Sequence, residues 1–281
     1  MIHISFKAMG TDVEAWCAEE DTGRELRCWF EEVEQACSRF RLDSELSLVN
    51  ASTDHSVVLS ELLAQVIRAG DRARELTDGL VDIGVGAGVT DWGYDRTFDL
   101  VRPLDRRPPR SPDPKWSIDS RILTRSPRTL LDLGGIAKGW ACDRAVERGI
   151  ATVVSAGGDI RSSDSRTTVP ILDPWGAIAA RVPLGVGGLA TSSIARRRWK
   201  AGTREVSHLI DPRTMEPVQT PTLSSTVVAR SAVDAEIGAK AVLLQGEEGL
   251  AWAAGSDWIE SAIIVWHDGS VYATPGTEVA A

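Results

Sequence analysis

The run Leu131-Asp132-Leu133-Gly134-Gly135-Ile136-Ala137-Lys138-Gly139 gathers the parts needed to hold a phosphate-bearing ligand. An apolar β-type stretch ends in a glycine pair, and a helical pattern starts at once with a lysine in its first turn. Glycine lets backbone approach a ligand closely. A helix N-terminus presents unpaired N–H groups and a partial positive charge, and Lys138 adds a full one. The spacing is neither G-x-x-x-x-G-K-[ST] nor G-x-G-x-x-G, which argues against a P-loop nucleotidase and a Rossmann dehydrogenase. Tight strand–helix packing is the other use of such a glycine pair.

Three more segments carry chemistry. Gly157-Gly158-Asp159 closes a strand, where Asp159 either caps the turn or lines a ligand cleft that the glycines open. His208-Leu209-Ile210-Asp211-Pro212-Arg213-Thr214 sets one of only four histidines beside a turn with Asp and Arg. His208 is there either structural or a general base. Ser231-Ala232-Val233-Asp234 starts a long helix. Ser with an acid three residues on is close to a capping box, and the same carboxylate suits a hard cation such as Mg²⁺.

The elements that must position these residues follow from periodicity. Residues 2–7 and 12–18 alternate as strands around Met9-Gly10-Thr11. Leu26, Trp29, Phe30, Val33, Cys37 and Phe40 give a helical period over 23–40. A second helix runs from Ser60, its N-cap, to Thr77, and Asp78-Gly79 stops it. Asp82-Ile83-Gly84-Val85-Gly86-Ala87-Gly88 reads as irregular, and Arg102 to Lys115 as an exposed Pro- and Arg-rich connection. A strand at 128–133 should lead into the glycine pair and a helix of about 12 residues. Val153-Val154-Ser155 is a buried strand. Short strands follow at 168–172, 177–182, 188–191, 204–210 and 224–229, then a helix over Ala232–Leu244. A terminal hairpin turns at Asp268-Gly269. Strands and helices mix without a regular βαβ repeat, so the fold class expected is α+β.

Composition narrows the partners. A net charge of -9 argues against nucleic acid. Ten Trp beside two Tyr and four Phe read as packing residues. Four cysteines without C-x-x-C spacing argue against a zinc site or disulfide framework and suit reduced thiols. No signal sequence, lipid-attachment cysteine or membrane-spanning run is visible, so the expectation is a cytoplasmic protein with no membrane insertion.

Taken in order, these motifs resemble the FAD:protein FMN transferase family, the ApbE-type flavin transferases. Met9-Gly10-Thr11 resembles its N-terminal signature, and Ser38-Arg39-Phe40-Arg41-Leu42-Asp43-Ser44-Glu45-Leu46-Ser47 with Asn50 its SRF-x-x-x-SELS run. Asp78-Gly79-Leu80-Val81-Asp82, Trp92-Gly93-Tyr94, Ala156-Gly157-Gly158-Asp159-Ile160, Ala190-Thr191-Ser192 and His208 through Thr214 continue the set. The most specific part is the glycine-pair segment extended through Trp140-Ala141-Cys142-Asp143-Arg144-Ala145.

The resemblance implies a single ApbE-like domain over 1–281, an α+β, T-fold-related architecture of two interlocked lobes. It implies Mg²⁺-dependent transfer of FMN from FAD to a Thr or Ser hydroxyl of a target protein, with release of AMP. FAD and that flavin-accepting protein are then the partners. Met9 and Phe40 would border the flavin or adenine. Asp82, Asp132, Lys138, Asp159 and Ile210 would line the FAD cleft. His208 would be the base, and the Gly135 carbonyl and Asp234 carboxylate would hold Mg²⁺.

The chain also departs from the family. A Thr usually found four residues after the metal-binding Asp is Gly238 here, so Gly238→Thr is expected to strengthen Mg²⁺ dependence. The family's DPTV becomes Asp82-Ile83-Gly84-Val85. TSGDYER becomes Thr191-Ser192-Ser193-Ile194-Ala195-Arg196, and PRTG ends in Met215. These departures favour two alternatives, an FAD-binding homologue with little or no transferase activity and an FAD pyrophosphatase giving FMN and AMP.

Overall fold

Alternating side chains set the first two strands. In β1 (Ile2–Ala8) and β2 (Thr11–Cys17) every second residue turns inward, with Val13, Ala15 and Cys17 fully buried, as a strand covered on one face requires. Ala8 pairs with Thr11, so Met9-Gly10 closes a two-residue turn. Both residues have positive φ, 52° and 69°, the type I′ form that matches strand twist. The computed structural model describes residues 1–277. It divides into two units. The first holds Met1–Glu32, Ile136–Ser193 and the chain from Thr220 onward; the second holds Val33–Gly135 and Ile194–Gln219. The helices are α1 (Glu20–Cys37), α2 (Glu45–Ala51), α3 (Glu61–Leu76), α4 (Gly86–Asp91), α5 (Ala137–Glu147), α6 (Ala232–Gln245) and α7 (Gly249–Ala254). The mixture of helices and strands is the α+β class expected.

One eight-stranded sheet organises the first unit. After β1 and β2 come β3 (Val153–Ala156), β4 (Asp159–Ser162), β5 (Gly187–Ser193), β6 (Thr222–Ala229), β7 (Ile259–Trp266) and β8 (Val271–Ala273). They lie side by side in this order, each pair antiparallel. The period of two decides what covers each face. Val227, Ala229, Ala262 and Ile264 cluster with Ala235, Ala239 and Val242 of α6. Leu189, Val228 and Ile263 face the other way, onto a hairpin of Thr168–Leu172 and Ile178–Pro183. The helix over 232–245 starts as expected, the Ser231 hydroxyl accepting the Asp234 N–H at 3.1 Å.

The second unit carries α2, α3, α4 and a three-stranded sheet, Ser56–Val58, Ile122–Arg125 and Trp116–Asp119, with the middle-named strand at its centre. Two hairpins complete it, Arg198–Ala201 with Arg204–Ser207 and Ile210–Asp211 with Glu216–Pro217. Ser60 caps α3 by accepting the Leu63 N–H. Asp78 and Gly79 follow with φ of 49° and 79°, which ends it.

Four expectations need correction. Residues 128–133 are not a strand. Leu131 and Leu133 are buried, but among the described residues no strand pairs with them. The Asn50 side chain accepts the Leu131 N–H and donates to its carbonyl, both at 2.9 Å, and the 83–86 turn bonds Leu130 and Asp132. An apolar run reports burial, whatever groups meet its backbone. Residues 82–88 are regular, a 3-10 turn over Ile83–Val85 running into α4. The strand expected at 204–210 breaks at His208-Leu209. The first helix spans 20–37 rather than 23–40, because the Ser38 hydroxyl takes the Phe40 and Arg41 N–H groups and turns the chain.

Candidate functional site

In the first unit the candidate side chains gather where α5 and α6 begin. Lys138, in the first turn of α5, has its Nζ 2.7 Å from Asp159 Oδ2 at the start of β4 and 2.8 Å from Glu236 Oε1 in α6. Glu236 also accepts the Gly139 N–H at 3.1 Å and meets Lys240 Nζ at 3.2 Å. In return Asp143 of α5 accepts the Ala232 and Val233 N–H groups at 2.8 and 2.9 Å. Each helix thus lends a carboxylate to the N-terminus of the other, where such charge is favourable. The approach is close: a Cβ on Gly139 would lie 2.8 Å from the Ala232 carbonyl oxygen.

Lys138 was expected to offer its charge to a phosphate. Asp159 and Glu236 already balance it. The ammonium is held above the ordinary lysine range because, although burial opposes its charge, these two carboxylates favour it. Burial pushes Asp159 up to about 6, aided by the Glu236 charge and opposed by Lys138. Burial also pushes at Glu236, but Lys138 and Lys240 outweigh it and hold that carboxyl down at about 2. Asp143 is raised to about 6 by burial, against its N–H partners.

These shifts set a pH dependence. Asp143 and Asp159 titrate near 4 in an unfolded chain, so the folded chain binds these protons first as pH falls through 6. Their contribution to stability is full below about 4 and lost as pH rises through about 6. The slope is about 1.4 kcal/mol per pH unit per group. Glu236 acts oppositely, its contribution being lost as pH falls from 4.5 through about 2. Denaturant unfolding at pH 7, 6 and 5 should show wild type gaining on Asp143→Asn as pH falls. A constant difference would contradict the shift.

Asp234 lies in the first turn of α6. One turn on, Gly238 offers no oxygen. A Cβ there would stand 2.9 Å from Val227 Cγ1, 3.3 Å from Ile259 Cδ1 and 3.4 Å from Trp258, so the position faces packed apolar side chains. This overturns the expectation for Gly238→Thr. The substitution should overpack the helix–sheet contact, lowering stability by about 1–3 kcal/mol without raising Mg²⁺ affinity. Denaturant unfolding and a metal titration read the two effects. Among the described residues no group of three or more His, Cys, Asp and Glu is placed to hold a metal ion. A carboxylate and a carbonyl completed by water and phosphate oxygens are nonetheless the hard donors that Mg²⁺ takes.

In the second unit an aromatic group surrounds Arg39. Its guanidinium lies 4.1 Å from the Phe40 ring centroid and 4.7 Å from that of Tyr94, with Nε 2.7 Å from Asp132 Oδ2. Tyr94 meets Phe40 at 5.4 Å, Trp199 at 6.0 Å and the half-buried His208 ring edge-on at 6.2 Å. Asp132 Oδ1 accepts the Gly134 N–H at 2.7 Å, shaping the glycine-pair turn that contains Gly135. Asp82 Oδ1 accepts from Gly84 N–H and Trp116 Nε1, both at 2.7 Å. The Ile210 side chain is core, clustered with Trp92 and Trp199, so only its backbone is suited to a ligand. A cavity of about 230 Å³ opens beside this group, lined by Arg39, Leu42, Ser47, Asn50, Thr90 and Asp95 among others. Its size suits part of a dinucleotide, since whole drug-sized ligands take about 300–1,000 Å³.

The structure therefore joins Lys138 with Asp159, Phe40 with Asp132 through Arg39, and Phe40 with His208 through Tyr94. Met9 stands at the β1–β2 turn, on the same strand end as Gly157-Gly158, whose Gly157 N–H donates to the Asp12 carbonyl. Sequence reasoning missed Glu236, Asp143 and the role of Arg39. A Glu and a Lys four apart inside the small apolar residues of α6 were the available signal for the first.

Residues 9–263 match the model of the ApbE family. The FAD:protein FMN transferase of Vibrio cholerae is 28% identical over 306 aligned positions, covering 95% of this chain and 89% of that one. The protein of the same name from Haemophilus influenzae is 26% identical over 88% and 82%. The solved structure of the flavin transferase ApbE from Vibrio cholerae matches with a TM-score of 0.79 at 26% identity, covering 98% of this chain and 97% of that one. The ApbE protein of Thermotoga maritima matches at 0.85 with 22% identity and the same coverage, a likeness of fold alone.

Proposed function

The chain belongs to the ApbE family and is thereby a transferase, and we propose that it moves FMN from FAD onto a Thr or Ser hydroxyl of a target protein, releasing AMP. The observation that carries this reading is the match over 9–263, which takes in every residue proposed for the site. In the transfer the acceptor oxygen bonds to the FMN phosphorus. The bond from that phosphorus to the bridging oxygen breaks, and AMP leaves with the oxygen. The hydroxyl proton passes to a ring nitrogen of His208, a general-base step.

The other residues bind and orient. The cap residue of α5, Ile136, lends no side chain to the first turn, in which Glu236 already takes the Gly139 N–H, and the turn before it suits a diphosphate. Lys138, gripped by Asp159 and Glu236, sets the start of α5. Arg39 and Asp132 brace Phe40 and the glycine-pair turn, while Asp82 shapes the segment before α4. Met9, Phe40 and the Ile210 backbone border the ring systems. Asp234 and the Gly135 carbonyl would hold Mg²⁺, which when bound would spread the charge that develops on the phosphoryl oxygens.

Incubation with FAD and Mg²⁺, with and without acceptor proteins, tests this. AMP release only with an acceptor, together with a covalent FMN adduct by mass, is expected. AMP without an acceptor would make the protein a pyrophosphatase. FAD retention without AMP would make it a binding protein.

A further inference from the structure

The charge of this chain is unevenly placed. Residues 102–115 and 194–219 together carry eleven Lys and Arg against five Asp and Glu, a net +6 inside a chain of net -9. Both stretches lie in the second unit, and the fold sets them side by side. The Leu104 N–H donates to the Lys200 carbonyl at 2.9 Å, and the Gly202 N–H donates to the Leu104 carbonyl at 2.8 Å. The Pro- and Arg-rich connection is thus an added edge on the 198–207 hairpin. Along that hairpin Trp199 and Ala201 turn into the core while Arg198 and Lys200 face solvent. Arg107 and Arg204 share Glu216, Arg110 pairs with Asp113, and Arg198 with Glu205. Arg213 pairs with Asp211, so of the five acids Asp105 alone stands outside these pairs among the described residues. Arg102, Arg106, Arg196 and Lys200 are exposed, with no carboxylate within 4.0 Å among the described residues. The hairpin leads directly into His208, and its Trp199 packs on the same Tyr94 ring as His208 does.

We propose that this arginine-rich face docks an acidic segment of the protein that accepts the flavin, so that its hydroxyl is brought towards His208. The proposal rests on the flavin-transfer reading. Guanidinium groups pair with carboxylates through two parallel hydrogen bonds, and an unpaired basic face in an acidic protein attracts and orients an acidic partner. The negative remainder of the chain opposes long polyanions, which favours a short acidic protein segment over nucleic acid or an anionic membrane.

The test uses a fluorescent peptide with one Thr flanked by Asp and Glu, and its counterpart with Asn and Gln. Anisotropy should show the acidic peptide bound at least about tenfold more tightly, a difference that shrinks with added salt. R106E/R196E/K200E should weaken it by about tenfold or more while FAD affinity is unchanged. R106Q/R196Q/K200Q, the milder variant, should lie between. Equal binding of the two peptides, or wild-type affinity in both variants, overturns the proposal. So does equally tight binding of duplex DNA or phosphatidylserine vesicles. The two readings fail separately. Peptide binding without AMP release leaves docking and removes transfer, whereas equal FMN transfer to acidic and neutral peptides leaves transfer and removes docking.

Discussion

Replacing His208 with Ala should lower FMN transfer about 100- to 10,000-fold, the range for loss of a general base. FAD affinity should change little, because the proposed role concerns the acceptor proton. The fold should survive, since the ring is half-buried and meets Tyr94 only edge-on. Added imidazole should restore part of the rate, which loss of packing alone would not allow. Single-turnover AMP release and a thermal melt measure the two sides. A rate within about twofold of wild type would remove His208 from the proton transfer.

The largest effect on stability is expected at Glu236. Glu236→Ala leaves Lys138 and Lys240 with Asp159 as their carboxylate in a buried cluster and strips the Gly139 N–H of its acceptor. Removing one partner of a buried pair costs about 3–5 kcal/mol, because the remaining charge is uncompensated. The double variant Glu236→Leu/Lys240→Leu removes one charge of each sign and should recover much of the loss. A double-mutant cycle by denaturant unfolding gives the coupling. Simple additivity would mean that the two side chains act independently.

Much of the fold was legible because hydropathy period reports facing. The β1–β2 hairpin, α3 with its Ser60 cap, α6 with Ser231 and the terminal hairpin all follow from local pattern. The errors fall where a side chain or a turn replaces regular pairing. Leu131 looked like a strand residue, yet it is Asn50, 81 residues earlier, that bonds its backbone. Asp82 and Asp132 looked like ligand groups, and their oxygens first shape the chain around Gly84 and Gly134.

By itself the sequence determined the membership of the family, the α+β class and the residues capable of chemistry, since these depend on residue type, order and short-range period. Only the tertiary structure decided how their charges are balanced. Lys138, Asp159 and Glu236 are far apart along the chain, and their meeting depends on α5, β4 and α6 packing together. The direction of the Gly238 Cβ, and the joining of two separated arginine-rich stretches, depend likewise on contacts that no local pattern encodes.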